Sequence, residues 1–221
     1  MIEVSFVVPA YNEEARLEKT LRALKELPLE NELIVVDDGS SDATETIARR
    51  YADDVIVLKK NRGKGAALQT GWKVATGTYI ACVDADLEES AREMMLLLKP
   101  LREGKADFTI SKLKAGKKAG FGIVKKRAQQ IVYEKTGVWL EAPLSGQRIF
   151  HRKWLPVVLK RRYDRFGVET MMNIDLLQAG ARCLEVPTNM THRELGKNLR
   201  GFYHRLKQWI DIERQCREVR T

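Results

Sequence analysis

The chain has 221 residues and 44% hydrophobic content, which suffices for one sizeable core and leaves little room for a second domain. No apolar run approaches the ~20 residues that span a bilayer, and no basic leader follows Met1, so the sequence predicts a cytoplasmic protein. A formal charge of +9 favours anionic partners: phosphates, nucleic acid or an acidic membrane surface. The widely spaced Cys82, Cys183 and Cys216 indicate reduced thiols and disfavour disulfides or zinc.

Short β-branched runs alternate with stretches of helical period in the first half of the chain. The pattern predicts strands at residues 3–9, 32–37, 55–58 and 79–84, and helices at residues 13–26, 43–51, 65–75 and 88–103. Such alternation is typical of an α/β fold, in which a mainly parallel sheet is flanked by helices. We therefore expect ligand-binding residues at the carboxyl ends of the strands.

The composition changes after a predicted strand at residues 107–111. Residues 108–133 contain no acidic side chain, whereas seven lysines and arginines stand between positions 112 and 127. This segment predicts a basic loop that runs into a helix. Strands at residues 146–150 and 182–186, a helix at residues 167–179 and an amphipathic C-terminal helix are expected to follow.

Two acidic pairs follow predicted strands. Asp37 and Asp38 end the second strand, while Asp84 and Asp86 end the fourth. Because one residue separates Asp84 from Asp86, both carboxylates project into one crevice and require a compensating cation. A divalent metal that bridges to a diphosphate meets that requirement. We expect a ligand contact from Asp38, whereas Asp42 suits the cap of the next helix.

Four segments in order resemble glycosyltransferase family 2 with its Rossmann-like GT-A fold. They read VVPAYNEE at residues 7–14, VDDGSSD at 36–42, NRGKGAAL at 61–68 and DAD at 84–86. Their order and spacing argue against chance agreement. The resemblance implies a single GT-A domain over residues 1–221, in which residues 1–104 bind a nucleotide sugar and residues 105–221 bind an acceptor.

The resemblance also assigns roles to residues in these segments. Those implied to hold the nucleoside are Pro9, Tyr11, Glu13 and Asp38. Lys64 would approach the diphosphate, while Asp84 and Asp86, with Ala85 between them, would contact the donor and bind Mg²⁺ or Mn²⁺. Such a metal offsets the charge that grows on the leaving diphosphate as the glycosidic bond breaks.

Two groups of enzymes resemble the second half of the chain. The PLSGQR segment at residues 143–148 is similar to a phosphate-holding segment of polyprenyl-phosphate sugar synthases, which implies acceptor contacts for Ser145, Gln147 and Arg148. The FGVE segment at residues 166–169 and the THR segment at residues 191–193 look like parts of glucosyl-3-phosphoglycerate synthase. That likeness implies His192 as a third metal ligand, with a surface histidine in a basic stretch as the alternative.

Glu169 is the candidate general base because it stands at a predicted helix start that faces the crevice. Asp86 and Arg148 complete the expected catalytic set. An acceptor phosphate is already ionised near neutral pH, and Glu169 would then orient the acceptor instead. Lys117 and Lys118 in the basic loop are candidate contacts for an acidic acceptor, with a solvated loop as the alternative.

These features favour metal-dependent transfer of a sugar from a nucleotide-diphosphate sugar, with UDP and glucose favoured on family grounds. The favoured acceptor is a polyprenyl phosphate, and the C-terminal helix would then make peripheral contact with the anionic inner face of the membrane. A small soluble acid such as 3-phosphoglycerate is the alternative acceptor.

Two other classes of function fit the sequence less well. A nucleotidyltransferase would carry a glycine-rich basic loop directly after the first strand, where AYNEE stands at residues 10–14 instead. A nucleic-acid-binding module is compatible with the charge, but no groove-reading motif is visible and the basic loop lacks interleaved aromatic residues. The stereochemical outcome and the oligomeric state stay open.

Overall fold

The computed structural model describes residues 1–113, 122–163 and 167–191. The strands are β1 (Val4–Ala10), β2 (Asn31–Asp37), β3 (Asp54–Val57), β4 (Tyr79–Cys82), β5 (Phe108–Leu113), β6 (Arg148–His151) and β7 (Cys183–Thr188). The α-helices are α1 (Leu17–Lys25), α2 (Thr44–Tyr51), α3 (Lys64–Val74), α4 (Met94–Arg102), α5 (Ile123–Thr136), α6 (Leu155–Lys160) and α7 (Val168–Gln178). Short 3₁₀ helices lie at Glu88–Glu93 and Arg152–Trp154.

All seven strands form one sheet in the order β3-β2-β1-β4-β6-β5-β7. Neighbouring strands are parallel except around β6, which is antiparallel to both β4 and β5. Because β6 runs against β4, its first residue, Arg148, pairs with Cys82 at the end of β4. The carboxyl ends of β1, β2 and β4 therefore share one edge of the sheet with the beginning of β6. The predicted mainly parallel α/β sheet is confirmed.

Helices cover both faces of the sheet, and each face has its own apolar cluster. On one face, Leu21 of α1 and Leu97 of α4 belong to the same buried cluster as Val8 and Val35 of the sheet. On the other face, Trp72 of α3 contacts Phe150 and Tyr163 edge-on, with ring centroids 6.0 Å apart in both pairs. Residues from α5, α6 and α7 complete this second cluster. The α3 and α7 helices are thus packed firmly in this cluster, and both begin at the edge that gathers the acidic residues.

Several element boundaries differ from those expected. The first helix begins at Leu17 instead of residue 13, and the Glu13 and Glu14 amides before it donate to Thr44, at the start of α2, and to Asp42 in the loop after β2. The expected helix at residues 88–103 is divided into a 3₁₀ helix and α4, which contains Pro100. The last strand continues through Pro187 because β7 is an edge strand, where a missing N–H costs no ladder bond. The α6 helix was not expected.

Some sequence predictions fall outside the described residues. These are the basic loop with Lys117 and Lys118, the third metal ligand His192, Cys216 and the C-terminal amphipathic helix. Within the described part, Cys82 and Cys183 are free thiols, and burial raises the pKa of Cys82 to about 11. None of the described helices has the length and apolar character needed to cross a membrane.

Candidate active site

Lys64 lies between two carboxylates at the shared edge of the sheet. Its Nζ atom is 2.6 Å from Oδ1 of Asp84, which follows β4, and 2.8 Å from Oε1 of Glu169, in the first turn of α7. The three side chains are only 15–27% exposed. The structure thus brings together a predicted donor-binding lysine, a predicted metal ligand and the candidate base around one positive charge.

The charge of Lys64 is stabilised by this arrangement. Burial alone would lower the pKa of the ammonium group, but the Asp84 and Glu169 carboxylates outweigh that effect and raise it well above its usual range. Lys64 is therefore protonated throughout the physiological range. The two carboxylates thus converge on one cationic group, and the space around these three side chains is the crevice of the candidate site.

Gln147 closes one wall of the crevice. It is 0% exposed, and its Nε2 donates to Asp84 Oδ2 over 2.7 Å. The preceding residue, Gly146, lies so close to the ion pair that a Cβ atom there would be 2.6 Å from Lys64 Nζ and would also collide with the Asp84 carboxylate. A side chain at position 146 would therefore force Lys64 and Asp84 out of this arrangement.

Arg148 is buried beneath that wall and is only 2% exposed. Its guanidinium donates to the Glu169 carbonyl over 3.0 Å, to Asn173 Oδ1 over 2.8 Å and to the Ser145 carbonyl. These bonds tie the first turn of α7 to the segment before β6. Arg148 thereby supports the backbone of Glu169, and its direct contact with an acceptor phosphate stays a prediction.

Asp38 organises the loop that leads to Lys64. Each of its carboxylate oxygens accepts a backbone N–H at 2.7 Å, from Arg62 and from Gly63. Burial raises the pKa of Asp38 although both amide bonds act in the opposite direction. Asp38 therefore sets the start of α3, and the nucleoside contact expected of it stays a prediction. Asp37 has a local role, since its Oδ1 accepts from the Ser40 backbone N–H at 2.9 Å.

The loops after β1 and β2 are joined to each other. Asn12 accepts the Ser41 backbone N–H at 2.9 Å, and its own N–H donates to Ser40 Oγ at the same distance. Asp42 accepts the backbone N–H groups of Glu14 and Thr44. Asp42 thus accepts the backbone N–H of Thr44, the first residue of α2, whereas the N-cap position itself is taken by Ala43 and not by Asp42 as expected.

The remaining predicted donor residues lie around this same edge. Pro9 is the penultimate residue of β1 and pairs with Val36 of β2. Tyr11 comes directly after the end of β1, and its side chain is 48% exposed. Ala85 is buried, and its carbonyl accepts the Thr20 hydroxyl at 2.9 Å. Glu13 and Asp86 are half-buried. An exposed aromatic ring beside two parallel strand ends is available for stacking on a base.

Asn12 and Asn173 are supporting residues that sequence reasoning did not select. Asn12 adopts a left-handed backbone conformation with φ of 53°, which asparagine tolerates better than most residues. An asparagine directly after a predicted strand could therefore have indicated this turn. Asn173 lies inside α7, where its amide also donates to the Pro143 carbonyl over 3.0 Å. No local pattern marks it, because its partners are distant in sequence.

A model of the family described as "Glycosyl transferase family 2" matches residues 5–161. The chain belongs to glycosyl transferase family 2. The matched range includes Lys64, Asp84, Gln147 and Arg148, whereas Glu169 lies just beyond it.

Two curated relatives of this family 2 chain align with very different shares of its length. An undecaprenyl-phosphate 4-deoxy-4-formamido-L-arabinose transferase from Photorhabdus laumondii is 39% identical over 112 residues, which are 46% of this chain and 34% of the relative. The shared part is therefore about a third of that relative's length. An uncharacterized protein from Methanocaldococcus jannaschii is 31% identical over 204 residues, which cover 87% of this chain and 83% of the relative.

A solved structure confirms the fold. Glucosyl-3-phosphoglycerate synthase from Mycobacterium tuberculosis, in complex with Mn²⁺, uridine diphosphate and phosphoglyceric acid, matches with a TM-score of 0.77 at 24% identity. The match covers 97% of this chain and 78% of that structure. The family 2 chain thus has the GT-A fold expected from its motifs.

Proposed function

We propose that this chain is a metal-dependent glycosyltransferase that moves a sugar from a nucleotide-diphosphate sugar to an acidic acceptor. The observation that carries the proposal is the Lys64 ammonium held between the Asp84 and Glu169 carboxylates at the carboxyl edge of the sheet. In open α/β sheets, ligands bind at this edge. Membership of glycosyl transferase family 2 supports the reaction class.

The donor set fits a hard divalent cation. Carboxylate oxygens are the ligands that Mg²⁺ and Mn²⁺ prefer, and two of them already converge on the single positive charge of Lys64. Asp84 and Asp86 would hold the ion, with His192 as the proposed third ligand. Among the described residues no three His, Cys, Asp or Glu side chains form a complete metal site. Ions of this kind complete their shell with substrate phosphates and water.

The metal and the side chains of the site would have separate tasks in the transfer reaction. A bound Mg²⁺ or Mn²⁺ supplies positive charge that stabilises the leaving diphosphate. Lys64, whose pKa is raised by its two carboxylate neighbours, would add a second positive charge near the diphosphate. Glu169 lies across from Asp84 and would receive a proton from a hydroxyl acceptor, or orient an acceptor that is already ionised. Tyr11 and the backbone around Asp38 would hold the nucleoside.

For the donor, UDP-glucose is proposed. The structural neighbour was solved in complex with Mn²⁺ and uridine diphosphate, which supports this choice together with the family resemblance. For the acceptor, a polyprenyl phosphate is favoured, since a transferase acting on undecaprenyl phosphate shares the matched half of the chain. The alternative, 3-phosphoglycerate, is supported by phosphoglyceric acid in the same structural neighbour.

A membrane-borne acceptor would require contact with lipid, and α5 supplies a surface for it. Ile123 and Tyr133 of α5 and Trp139 just after it are 57%, 53% and 56% exposed. The helix also carries four basic side chains and one acidic one. Aromatic rings among lysines are typical of segments that lie on anionic membranes. We propose peripheral contact through this surface.

The experiment that tests the function is a Mn²⁺-dependent transfer assay over a panel of nucleotide sugars. Each sugar is offered with a short polyprenyl phosphate, with 3-phosphoglycerate, and without an acceptor. We expect turnover with UDP-glucose and one acceptor, and its loss in Asp84→Asn and Asp86→Asn. The matched control is Asp54→Asn, at an exposed position of β3. Failure of every nucleotide sugar to bind or react in the presence of metal would overturn the assignment.

A further inference from the structure

We propose that Gln147 is a positioning residue that fixes the Asp84 carboxylate for cation binding, and that it does not contact the acceptor. This inference rests on the proposed function. It differs from the role that the PLSGQR resemblance implies, in which residues 145–148 hold an acceptor phosphate. Two observations carry it: the orientation of the Gln147 amide and its complete burial.

The Gln147 amide is committed to Asp84. Its Nε2 donates to Oδ2 over 2.7 Å, while Lys64 occupies the other carboxylate oxygen, Oδ1, at 2.6 Å. The two partners therefore divide the carboxylate between them. Because Gln147 is neutral, it fixes the orientation of Asp84 without cancelling its charge. An incoming cation that binds Oδ1 would share this oxygen with Lys64 or take it over from Lys64.

Burial separates Gln147 from any acceptor in this arrangement. The residue is 0% exposed, and its Oε1 is within 3.4 Å of the Ser145 hydroxyl, which donates to it. Gly146 brings the backbone of this wall against the ion pair, with no side chain in between. A group that holds a metal ligand in place from behind raises metal affinity about 10–100-fold in known sites.

Gln147→Met tests the inference because methionine keeps the length and volume of glutamine but removes the amide donor. The readout is Mn²⁺ affinity in the presence of UDP, measured from the spin-resonance signal of free Mn²⁺. We expect affinity to fall about 10–100-fold, while the Michaelis constant for the acceptor stays the same. The matched control is Gln129→Met, since Gln129 is another buried glutamine whose amide donates to a carbonyl, that of Glu141, outside the crevice.

Ser145→Ala is the second variant, and it tests the same role of Gln147 if Gln147→Met does not fold. It removes only the hydroxyl that steadies the Gln147 amide, so we expect a smaller loss of Mn²⁺ affinity. Unchanged Mn²⁺ affinity in the folded variants overturns the inference. A raised Michaelis constant for the acceptor with unchanged Mn²⁺ affinity also overturns it, in favour of acceptor binding. If the wild-type chain binds neither UDP nor Mn²⁺, the proposed function itself fails.

Discussion

Lys64 occupies a position that a divalent cation would also seek. Its ammonium group is the shared partner of Asp84 and Glu169, and the charges of these three side chains sum to minus one. A cation that binds Asp84 must therefore compete with Lys64 or draw it toward another anion. The diphosphate of the proposed donor is such an anion, and it would couple binding of the metal to binding of the nucleotide.

Replacing Lys64 should therefore shift two affinities in opposite directions. In Lys64→Met, we expect UDP affinity to fall about tenfold or more, because a charge-assisted contact is lost. Mn²⁺ affinity without nucleotide should rise, because Asp84 loses its resident cation. Calorimetry with UDP and spin-resonance titration with Mn²⁺ measure the two effects. Lys99→Met, at an exposed position of α4, is the control. A parallel fall in both affinities would contradict this account.

Asp38 acts on the backbone, and its removal should affect both stability and activity. Asp38→Asn places an amide NH₂ against the Arg62 or Gly63 N–H, so that one buried donor loses its acceptor. We expect the free energy of unfolding to fall by about 1–3 kcal/mol and kcat/KM to fall with it, as Lys64 loses its fixed position. Urea unfolding and the transfer assay measure the two. Unchanged stability of the variant would contradict this role of Asp38, because the loop at Arg62 and Gly63 would then be held by other contacts.

At the scale of elements, the beginning of β5 is held by a single carboxylate. Asp107 accepts Lys153 Nζ at 2.7 Å and the Arg182 backbone and side chain at 3.0 and 2.9 Å. It thereby joins β5 to the segments that lead into α6 and β7. Burial alone would raise the pKa of Asp107, but these bonds lower it well below its usual range.

This network should make stability depend on pH in the acidic range. Because the folded pKa of Asp107 lies below the unfolded value of about 3.9, its contribution is complete above that value and is lost as the pH falls through the folded pKa. Urea unfolding from pH 7 down to about pH 2, which is well below the unfolded pKa, measures the effect. Asp107→Asn should be less stable at pH 7 by about 1–3 kcal/mol and should lose less stability on acidification. Equal pH dependence in the two proteins would exclude this role.

The elements of the sheet were largely predictable because hydrophobic period and turn residues are local signals. The strand ends that carry Asp37 and Asp38 and the crevice around Asp84 were found from sequence. The direction of β6 was not, because a short strand does not report whether its partners are parallel. That direction decides the site, since it places Gln147 and Arg148 under Asp84 and Glu169. Their inward orientation depends on contacts with residues 21 to 63 positions away.

At the scale of the whole molecule, basic charge and exposed aromatic side chains coincide around α5. Tyr133 and Trp139 contact each other edge-on with ring centroids 6.1 Å apart, and both are more than half exposed. Lys125 and Lys126 are exposed on the same helix. Each basic side chain near an anionic membrane contributes about 1 kcal/mol, and an inserted indole ring adds apolar burial. The surface therefore combines the two sources of affinity that peripheral proteins use.

Vesicle binding tests whether this surface serves a lipid acceptor. We expect the chain to sediment with vesicles of phosphatidylcholine and phosphatidylglycerol at low salt, and to be released by salt or by omission of the anionic lipid. A Tyr133→Ser, Trp139→Ser double variant should bind several-fold more weakly, since it removes the aromatic burial and keeps the charges. Leu96→Ser, at another exposed apolar position, on α4, should bind like the wild type. Equal binding of the double variant would assign any membrane contact to another part of the chain. If the wild type also ignored anionic vesicles while transferring glucose to 3-phosphoglycerate, the soluble acid would be the acceptor, because a lipid phosphate can be reached only at a membrane surface.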